Sequence, residues 1–384
     1  MAKAIVVGTD ARVTLLANTS RELTEGLREL GHDVELGLIP DLRAAEEYEK
    51  LCNKIQRAID DFDDFFLVDM NCHLKYSGVT RTGMRRFSYV TDAPWSLFQS
   101  IYTVPNDTTI SYVDRNHAQF YARFPTGRPT VFMPHGGPLP DDTWHEERPV
   151  DVLFLGNLQT PCLMEHLGRV TAELPAPLGR VAGVSVDLIL EEGMEPFQAV
   201  QNGLAAFGLS IEAVGPQPLI KLLRIICPFV ESYNRHRTLT SLGKVKVVIA
   251  GSIAPDFFDK QPHNVSALGI VDEQAAMALM RRSRILLNSV TVFPGGSHER
   301  VWYGMACGAA ICADESDFIK ETLTYGTHLL SLEDAIASGG ETLADHLART
   351  KGVVETAHAA REIYAAHHTW RHRARIISRA MGYG

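Results

Sequence analysis

The sequence has few of the features that mark secreted, membrane-spanning or zinc-binding proteins. Its six cysteines show no C-x-x-C spacing, so we expect buried thiols rather than disulfides or zinc ligands. The longest apolar run, PLIKLLRIICPFV, is interrupted by Lys221 and Arg224 and is too short to span a bilayer. The opening MAKAIVVGTDAR lacks the form of a signal peptide. These absences predict a cytoplasmic protein.

The chain also lacks an excess of positive charge. It has 37 Lys and Arg against 46 Asp and Glu, for a formal net charge of −9. This balance argues against nucleic acid or an anionic membrane as the main partner. Any site for an anion must then be a local basic pocket. A length of 384 residues, with 45% hydrophobic and 22% charged residues, suits two globular domains.

Two common ligand motifs are missing as well. The first strand-to-helix turn, VVGTDAR, has one glycine where a dinucleotide fingerprint needs three. The acids of DDFDDFF precede an apolar strand instead of following one, and the histidines near His367 lack a matching acid pattern. We therefore expect neither a nicotinamide cofactor nor a bound metal.

What the chain does contain is a regular alternation of short apolar β-type runs and amphipathic helical segments. This alternation predicts an α/β fold with parallel sheets wound on both faces. The Pro-, Gly- and acid-rich stretch HGGPLPDDTWHEERP indicates a linker. We expect a first domain over 1–140, a linker over 141–150, a second domain over 151–366 and a closing helix over 367–384.

The stretch FPGGSHERVWYGMACGAAICAD, residues 293–314, is the most informative part of the chain. It predicts a glycine-rich loop, a short helix, a close-packed corner and a buried strand. Gly295 and Gly296 can adopt backbone angles that are closed to other residues. Ser297 is predicted to be the N-cap of the helix.

The three residues after Ser297 are the strongest candidates for ligand binding. A helix N-terminus offers free N–H groups and positive potential to an anion. Arg300 adds a forked cation that suits phosphate oxygens. We expect Arg300 to bind a diphosphate, Glu299 to contact a sugar or ribose, and His298 to donate to a phosphate oxygen. Gly296 and Ser297 would line the same site, and a solvated first turn is the alternative.

Two further pairs follow buried strands and are candidates for donor binding. Gly156 and Asn157 end LFLGN, and Gly251 and Ser252 follow KVKVVIA. A glycine there lets a ligand approach the backbone, and Asn or Ser can hydrogen-bond a phosphate or a hydroxyl. An ordinary turn would use the same residues.

Three blocks of sequence also resemble a known family. HERVWYGMACGAAICAD resembles the nucleotide-sugar segment of GT-B glycosyltransferases, especially the CgeB-like (spore-protein type) branch and the related group 1-like family. VDVLFLGN resembles the first strand of the second GT-B domain, and HHTWRHRARIISRA its closing helix. The resemblance implies two Rossmann-like domains facing across a cleft, with the last helix returning to the first domain. It further implies a metal-independent transferase with a nucleotide diphosphate-sugar donor.

One position departs from the pattern of these transferases. Tyr303 stands where a ribose-binding Glu is common, and the other member of the usual acidic pair falls on Gly295. Either Glu299 takes over ribose binding, or the donor is held differently, or the chain is not a transferase. A non-hydrolysing nucleotide-sugar epimerase and a non-catalytic binding protein derived from the same fold are the alternatives. The acceptor stays open among a glycan, a lipid-linked precursor, a protein and a small metabolite.

A transferase also needs a group that deprotonates the acceptor hydroxyl or stabilises charge on the leaving group. Arg300 is the candidate for the second task. For the first, Asp92 in YVTDAPW and His135 in MPHGGP both follow predicted strands of the first domain. His73 is a third, weaker candidate. Capping of a turn or of the linker is the alternative role for each.

Overall fold

The computed structural model describes residues 2–9, 14–39, 45–72, 74, 84–141, 147–159, 164–172, 174–289 and 291–384. The chain divides into two compact units. Unit 1 consists of Met1–Leu139 together with Ala366–Gly384, and unit 2 consists of Pro140–Ala365.

Unit 1 is built on a parallel sheet with strand order β2-β1-β3-β4-β5-β6. Its strands are β1 (Lys3–Thr9), β2 (Asp33–Ile39), β3 (Phe65–Met70), β4 (Arg85–Tyr89), β5 (Thr108–Tyr112) and β6 (Thr130–Phe132). Its helices are α1 (Thr14–Glu29), α2 (Ala45–Asp61), α3 (Phe98–Thr103), α4 (His117–Arg123) and, from the end of the chain, α16 (Trp370–Ala380). β3 is buried along its whole length, as expected of a strand covered on both faces of a parallel sheet.

The closing helix α16 belongs to unit 1, where it packs on α1. Gly26 of α1 allows this close crossing, since a Cβ there would lie 2.8 Å from Cβ of Ala374. At the start of α16, the backbone N–H of Trp370 donates to the carbonyl of Gly137 over 2.8 Å, and Thr369 forms a parallel bridge with Gly137. The predicted return of the last helix to the first domain is confirmed.

Unit 2 is built on a second parallel sheet, with strand order β9-β8-β7-β10-β11-β12. The strands are β7 (Val150–Leu155), β8 (Val247–Ala250), β9 (Val265–Gly269), β10 (Ser283–Asn288), β11 (Ala310–Ala313) and β12 (Leu329–Ser331). The chain fills one half of the sheet from β7 to β9 and then crosses to β10 on the other side. The strand order therefore reverses between β7 and β10, and at such a switch point open α/β sheets bind ligands.

The connection from β7 to β8 is much longer than one crossover helix. It contains α5 (Met164–Val170), α6 (Ala176–Glu192), α7 (Pro196–Ala206), α8 (Ile211–Val214) and the 26-residue α9 (Pro216–Ser241). The later helices are α10 (Glu273–Arg281), α11 (Glu299–Ala306), α12 (Asp317–Lys320), α13 (Leu332–Ala337), α14 (Glu341–Ala348) and α15 (Thr350–His367).

Two parallel sheets with flanking helices confirm the predicted doubly wound α/β fold class. None of the described helices combines the length and apolar character that crossing a bilayer requires. The five cysteines among the described residues are buried, and none of them is in a disulfide.

Candidate functional site

The carboxyl ends of β7 and β8 approach each other closely at Gly156 and Gly251. These residues have φ angles of 156° and 150°, in the range that favours glycine. A Cβ on Gly251 would lie 2.1 Å from the carbonyl oxygen of Gly156. Both glycines are therefore required by the backbone, and together they leave a surface at the switch point without side chains.

Asn157 and Ser252, the residues that follow these glycines, bind each other. Oδ1 of Asn157 accepts from the N–H of Ser252 over 3.0 Å and from its hydroxyl over 2.9 Å. This pairing ties the two strand ends together. It also leaves the amide nitrogen of Asn157, an exposed residue, as the part of its side chain that can serve a ligand.

The helix α11 begins one residue later than the sequence predicts. His298 is the N-cap, with φ −94° and ψ 145°, and its Nδ1 accepts from the N–H of Arg300 over 3.2 Å. The prediction of Ser297 as N-cap is wrong because the Ser297 hydroxyl accepts from the indole N–H of Trp302 over 2.9 Å and is buried. Gly295 and Gly296 are not among the described glycines with positive φ.

The corner after α11 holds the helix close to the sheet. A Cβ on Gly304 would lie 2.5 Å from Cδ1 of Ile311 and 2.5 Å from Cδ2 of Leu286. Only glycine therefore allows α11 to pack this tightly on β10 and β11. The close packing fixes the N-terminal turn of α11 beside the carboxyl ends of the strands.

Arg300 projects from this first turn towards the end of β7. Its Nη2 lies 3.4 Å from the place of a Cβ on Gly156, and its guanidinium carbon lies 5.9 Å from the ring centroid of Phe154. Nη1 is buried without a hydrogen-bond partner among the described residues. Burial, and next the charge of Arg235, lower the pKa of Arg300 to about 10. The group is still cationic at neutral pH, and a buried donor without an acceptor is costly.

A second arginine, which the sequence analysis missed, reaches the same place from α9. Nη1 of Arg235 donates to the carbonyl of Asn157 over 3.0 Å. Its Nη2 lies 3.7 Å from Glu231 on the same helix, and its Nε has no hydrogen-bond partner among the described residues. Two guanidinium groups from separate elements thus converge on the switch point, an arrangement suited to a phosphate or a diphosphate.

Glu299 and His298 form a partly exposed pair beside Arg300. Nδ1 of His298 lies 3.2 Å from a carboxylate oxygen of Glu299, yet the same nitrogen accepts from the N–H of Arg300. A ring nitrogen cannot accept and donate at once, so the two contacts alternate with the protonation of the imidazole. Burial raises the pKa of Glu299, and the charge of Arg300 partly opposes that change. Tyr303 lies on the buried side of α11, with 2% of its surface exposed.

Polar groups also follow β10 and β11. The amide nitrogen of Asn288 lies 3.5 Å from a carboxylate oxygen of Asp314. Oδ1 of Asn288 is buried without a partner in the described residues, and Asp314 acts electrostatically on Arg300. The site therefore continues from the two arginines towards acidic and amide groups.

In unit 1, the fold brings two sequence-predicted residues, Asp92 and His135, close together. Asp92 is exposed after β4, and its carboxylate accepts from the hydroxyl of Thr91 over 3.2 Å. Thr91 is held in turn by Asn71, whose Oδ1 accepts from the N–H of Thr91 over 2.9 Å. Asn71 has a positive φ of 54°, a conformation that side-chain-bearing residues seldom adopt. The third candidate base, His73, lies outside the described residues.

His135 is buried beside these residues, with 3% of its surface exposed. Its Nδ1 lies 2.8 Å from the hydroxyl of Tyr89, and it also hydrogen-bonds the backbone of Thr91. Burial lowers the pKa of His135 to about 4, so the imidazole is neutral at pH 7. Its surroundings are those of a structural histidine.

Within the described ranges, no group of three or more His, Cys, Asp and Glu side chains is placed to hold a metal ion. The candidate site is thus a cationic anion-binding surface at the switch point of unit 2.

Comparisons with known proteins show which proteins this fold resembles. Residues 231–379 match the sequence model of a family described as "Glycosyl transferase-like". Among curated proteins, none matches the chain by sequence. The matched region includes both Arg235 and Arg300.

Solved structures share the fold at low sequence identity. An α-glucosyltransferase in complex with UDP and a 13-mer DNA has a TM-score of 0.56 at 10% identity, covering 99% of each chain. Sucrose-phosphate synthase from Thermosynechococcus elongatus has a TM-score of 0.54 at 10% identity, covering 99% of this chain and 98% of that one. HepE from Anabaena, in complex with UDP and glucose, has a TM-score of 0.50 at 10% identity, covering 99% of each. These likenesses confirm the predicted GT-B fold, and the family match over residues 231–379 agrees with the predicted glycosyltransferase.

Proposed function

We propose that this protein transfers a sugar from a nucleotide diphosphate-sugar to an acceptor hydroxyl without a metal ion. The observation that carries the proposal is the convergence of Arg300 and Arg235 on the end of β7. Nη1 of Arg300 and Nε of Arg235 are buried without hydrogen-bond partners among the described residues. A diphosphate would supply acceptors for both groups.

The two guanidinium groups also supply a reason to expect metal independence. A departing nucleoside diphosphate gains negative charge, and cations or helix N-termini placed nearby stabilise it. Arg300 and Arg235 provide two positive charges, and the N-terminus of α11 adds its partial charge. Gly156 and Gly251 would let the phosphates reach the backbone. Glu299 is the carboxylate of this region that we assign to ribose or sugar hydroxyls, because Tyr303 is buried.

For the acceptor we propose the carboxyl end of the sheet in unit 1, with Asp92 as the base. Asp92 is exposed and is oriented through Thr91 and Asn71. His135 is buried and already hydrogen-bonded, so we assign it to supporting the Thr91 backbone. A cytoplasmic location and a nearer likeness to the CgeB-like branch are part of the same proposal.

The test is a thermal-shift titration of the purified protein with UDP, GDP, ADP, CDP and dTDP, in the presence of EDTA. UDP is the first probe because two solved structures of like fold contain it. A diphosphate at 100 times its Kd adds about 2.7 kcal/mol of stability. That corresponds to a rise of roughly 5–10 °C in the midpoint of a unit of this size.

We expect one diphosphate to raise the midpoint of the wild type more than that of Arg300→Ala. No shift with any diphosphate would contradict the donor site. Turnover of a nucleotide-sugar without any acceptor would instead favour the epimerase. Binding without turnover, over a broad acceptor panel, would favour the non-catalytic protein.

A further inference from the structure

Unit 2 contains a cavity of about 200 Å³ beside the carboxyl ends of β10 and β11. Side chains of α6, α9 and α13 also line it. Its polar lining includes Asn234, Thr238, Ser289 and Asp314, and Leu190 is among its apolar walls. Hydroxyl, amide and carboxylate groups next to aliphatic surface are the groups that recognise a polyhydroxylated ring.

We propose that this cavity binds a single saccharide residue that is uncharged or cationic, and that it rejects anionic sugars. The site is assembled by the long connection between β7 and β8, since α6 and α9 supply much of its lining.

The buried hydroxyl of Thr238 is the strongest sign that the cavity is built for a ligand. Thr238 lines the cavity, is 1% exposed, and its Oγ1 has no hydrogen-bond partner among the described residues. Thr240, two residues later on the same helix, instead donates to the carbonyl of His236 over 2.7 Å. A helical threonine can hydrogen-bond a carbonyl of the preceding turn in this way. Because the hydroxyl of Thr238 makes no such bond, a ligand in the cavity would supply its partner.

The charges of the lining decide which ligands are acceptable. One guanidinium, that of Arg237, faces three carboxylates, those of Asp314, Glu315 and Glu333. Arg237 is already committed, because its Nη2 lies 2.6 Å from both oxygens of Glu333. With Lys320, which pairs with Glu315, two cations stand against these three carboxylates, and Arg235 and Arg300 lie outside the lining. An anionic ligand would be repelled, whereas hydroxyl and ammonium groups would find acceptors.

The size of the cavity suits one saccharide residue. At about 30 Å³ for each water, 200 Å³ corresponds to roughly seven waters. The cavity is smaller than the roughly 300–1,000 Å³ of sites for drug-sized molecules. A single pyranose fits this volume.

The saccharide can reach the cavity in two ways. Asn234 directly precedes Arg235, and Asp314 acts electrostatically on Arg300, so the cavity adjoins the two arginines. A sugar attached to a bound diphosphate would enter it, and that source rests on the proposed function. A free saccharide, such as an acceptor, would enter it without any nucleotide.

The experiment compares the wild type with Thr238→Val and the matched control Thr240→Val. Ligand-observed NMR measures the binding of free glucose, glucosamine and glucuronate. Calorimetry measures UDP-glucose, GDP-mannose, ADP-glucose, CDP-glucose and dTDP-glucose, each against its parent diphosphate. UDP-glucuronate and GDP-mannuronate are the acidic probes. Thermal midpoints of all three proteins are recorded without ligand.

We expect Thr238→Val to weaken a neutral-sugar probe about 5-fold, the loss of one hydrogen bond, and to leave the parent diphosphate within 2-fold. Its midpoint should stay level or rise, because a buried unsatisfied hydroxyl is removed. Thr240→Val should bind like the wild type. Weakening seen with free glucose assigns the cavity to a free saccharide, and weakening seen only with a nucleotide-sugar assigns it to the donor.

The proposal is overturned if Thr238→Val binds every sugar probe as the wild type does. It is equally overturned if an acidic probe binds as tightly as its neutral counterpart, or if no neutral sugar binds in either form. Binding of free glucose that depends on Thr238, with no binding of any diphosphate, would support the cavity and refute the proposed donor site.

Discussion

Arg300 in unit 2 is half-buried with a buried Nη1, and Arg373 in unit 1 is buried, yet the fold treats the two guanidinium groups in opposite ways. Every nitrogen of Arg373 has a partner: its Nε donates to the carbonyl of Pro134 over 2.9 Å, Nη1 to that of His367 over 3.2 Å, and Nη2 to that of His135 over 2.8 Å. Nη1 of Arg300 has no partner in the described part of the chain. Burial alone therefore does not mark a binding residue, whereas an incomplete set of hydrogen bonds does.

Arg300→Ala tests this difference between the two arginines with the largest expected effect. Removing a group that stabilises charge in the transition state costs about 100- to 1,000-fold in kcat. We expect a loss of that size in kcat, a smaller loss in donor affinity, and an unfolding midpoint that does not fall. Steady-state kinetics with the donor identified by thermal shift provides the measurement. Arg300→Lys, which retains the charge but not the fork, should be intermediate, and equal rates in the wild type and Arg300→Ala would refute the assignment.

Arg373→Ala should have the reverse effect. It leaves the buried carbonyl oxygens of Pro134 and His135 without this donor, each at a cost of roughly 1–3 kcal/mol, and also removes the donor to the carbonyl of His367. We expect a loss of about 3 kcal/mol, or a midpoint lower by about 6–12 °C in a unit of this size. Differential scanning calorimetry measures it. Arg375→Ala, an exposed position on the same helix, is the control, and an equal midpoint in both variants would contradict a structural role for Arg373.

The third prediction is that lowering the pH destabilises unit 1 before unit 2. Burial lowers the pKa of His135 to about 4 and those of His117 and His368 to about 3, all in unit 1. A depressed pKa means that the folded protein favours the neutral imidazole. The stability that each of these histidines contributes is therefore fully present above the unfolded pKa of about 6.5, and it is lost as the pH falls towards the folded pKa. For His135 this amounts to about 3 kcal/mol between pH 6.5 and 4.

Hydrogen exchange read by mass spectrometry at pH 7 and pH 5 tests this difference. Strands β4 and β5 of unit 1 should lose protection before β7 and β10 of unit 2, after correction for the intrinsic exchange rate. Earlier loss of protection in β7 and β10 would contradict it.

Arg235→Ala should have the smallest effect of the four. Arg235 is partly occupied by the Asn157 carbonyl and by Glu231, so less of its guanidinium is available to a ligand than at Arg300. We expect about a 10-fold loss in diphosphate affinity, about 1.4 kcal/mol, measured by calorimetry. Arg224→Ala, exposed on the same helix, is the control, and unchanged affinity in Arg235→Ala would leave Arg300 as the main ligand.

The sequence contains enough information to predict the sheets and one half of the proposed donor site. Apolar β-type runs alternating with helices predict the strands, and a glycine-rich loop before His298–Arg300 predicts a helix N-terminus. Arg235 escapes this reasoning because it lies 65 positions before Arg300, in a helical region without a motif. Only the packing of α9 against the end of β7 brings the two side chains together.

The error at Ser297 has a similar origin. Serine is the commoner N-cap, and the sequence offers no competing acceptor for the N–H groups. The indole of Trp302 claims the serine hydroxyl in the packed structure, and the neighbouring imidazole of His298 caps the helix in its place. His135 illustrates the opposite limit, because a histidine after a strand looks the same in sequence whether it faces solvent or, as here, Tyr89.

The discontinuous make-up of unit 1 sets the order in which the protein is completed during synthesis. Residues 140–365, which form unit 2, separate the two parts of unit 1 by 226 positions (365 − 140 + 1). At roughly 5–20 residues per second, the ribosome needs about 11–45 s to make this interval. Until then the groove on α1 at Gly26 has no α16 to fill it. The first part of unit 1 therefore stays incomplete and accessible to chaperones during this interval, while the sheet of unit 2 can already fold.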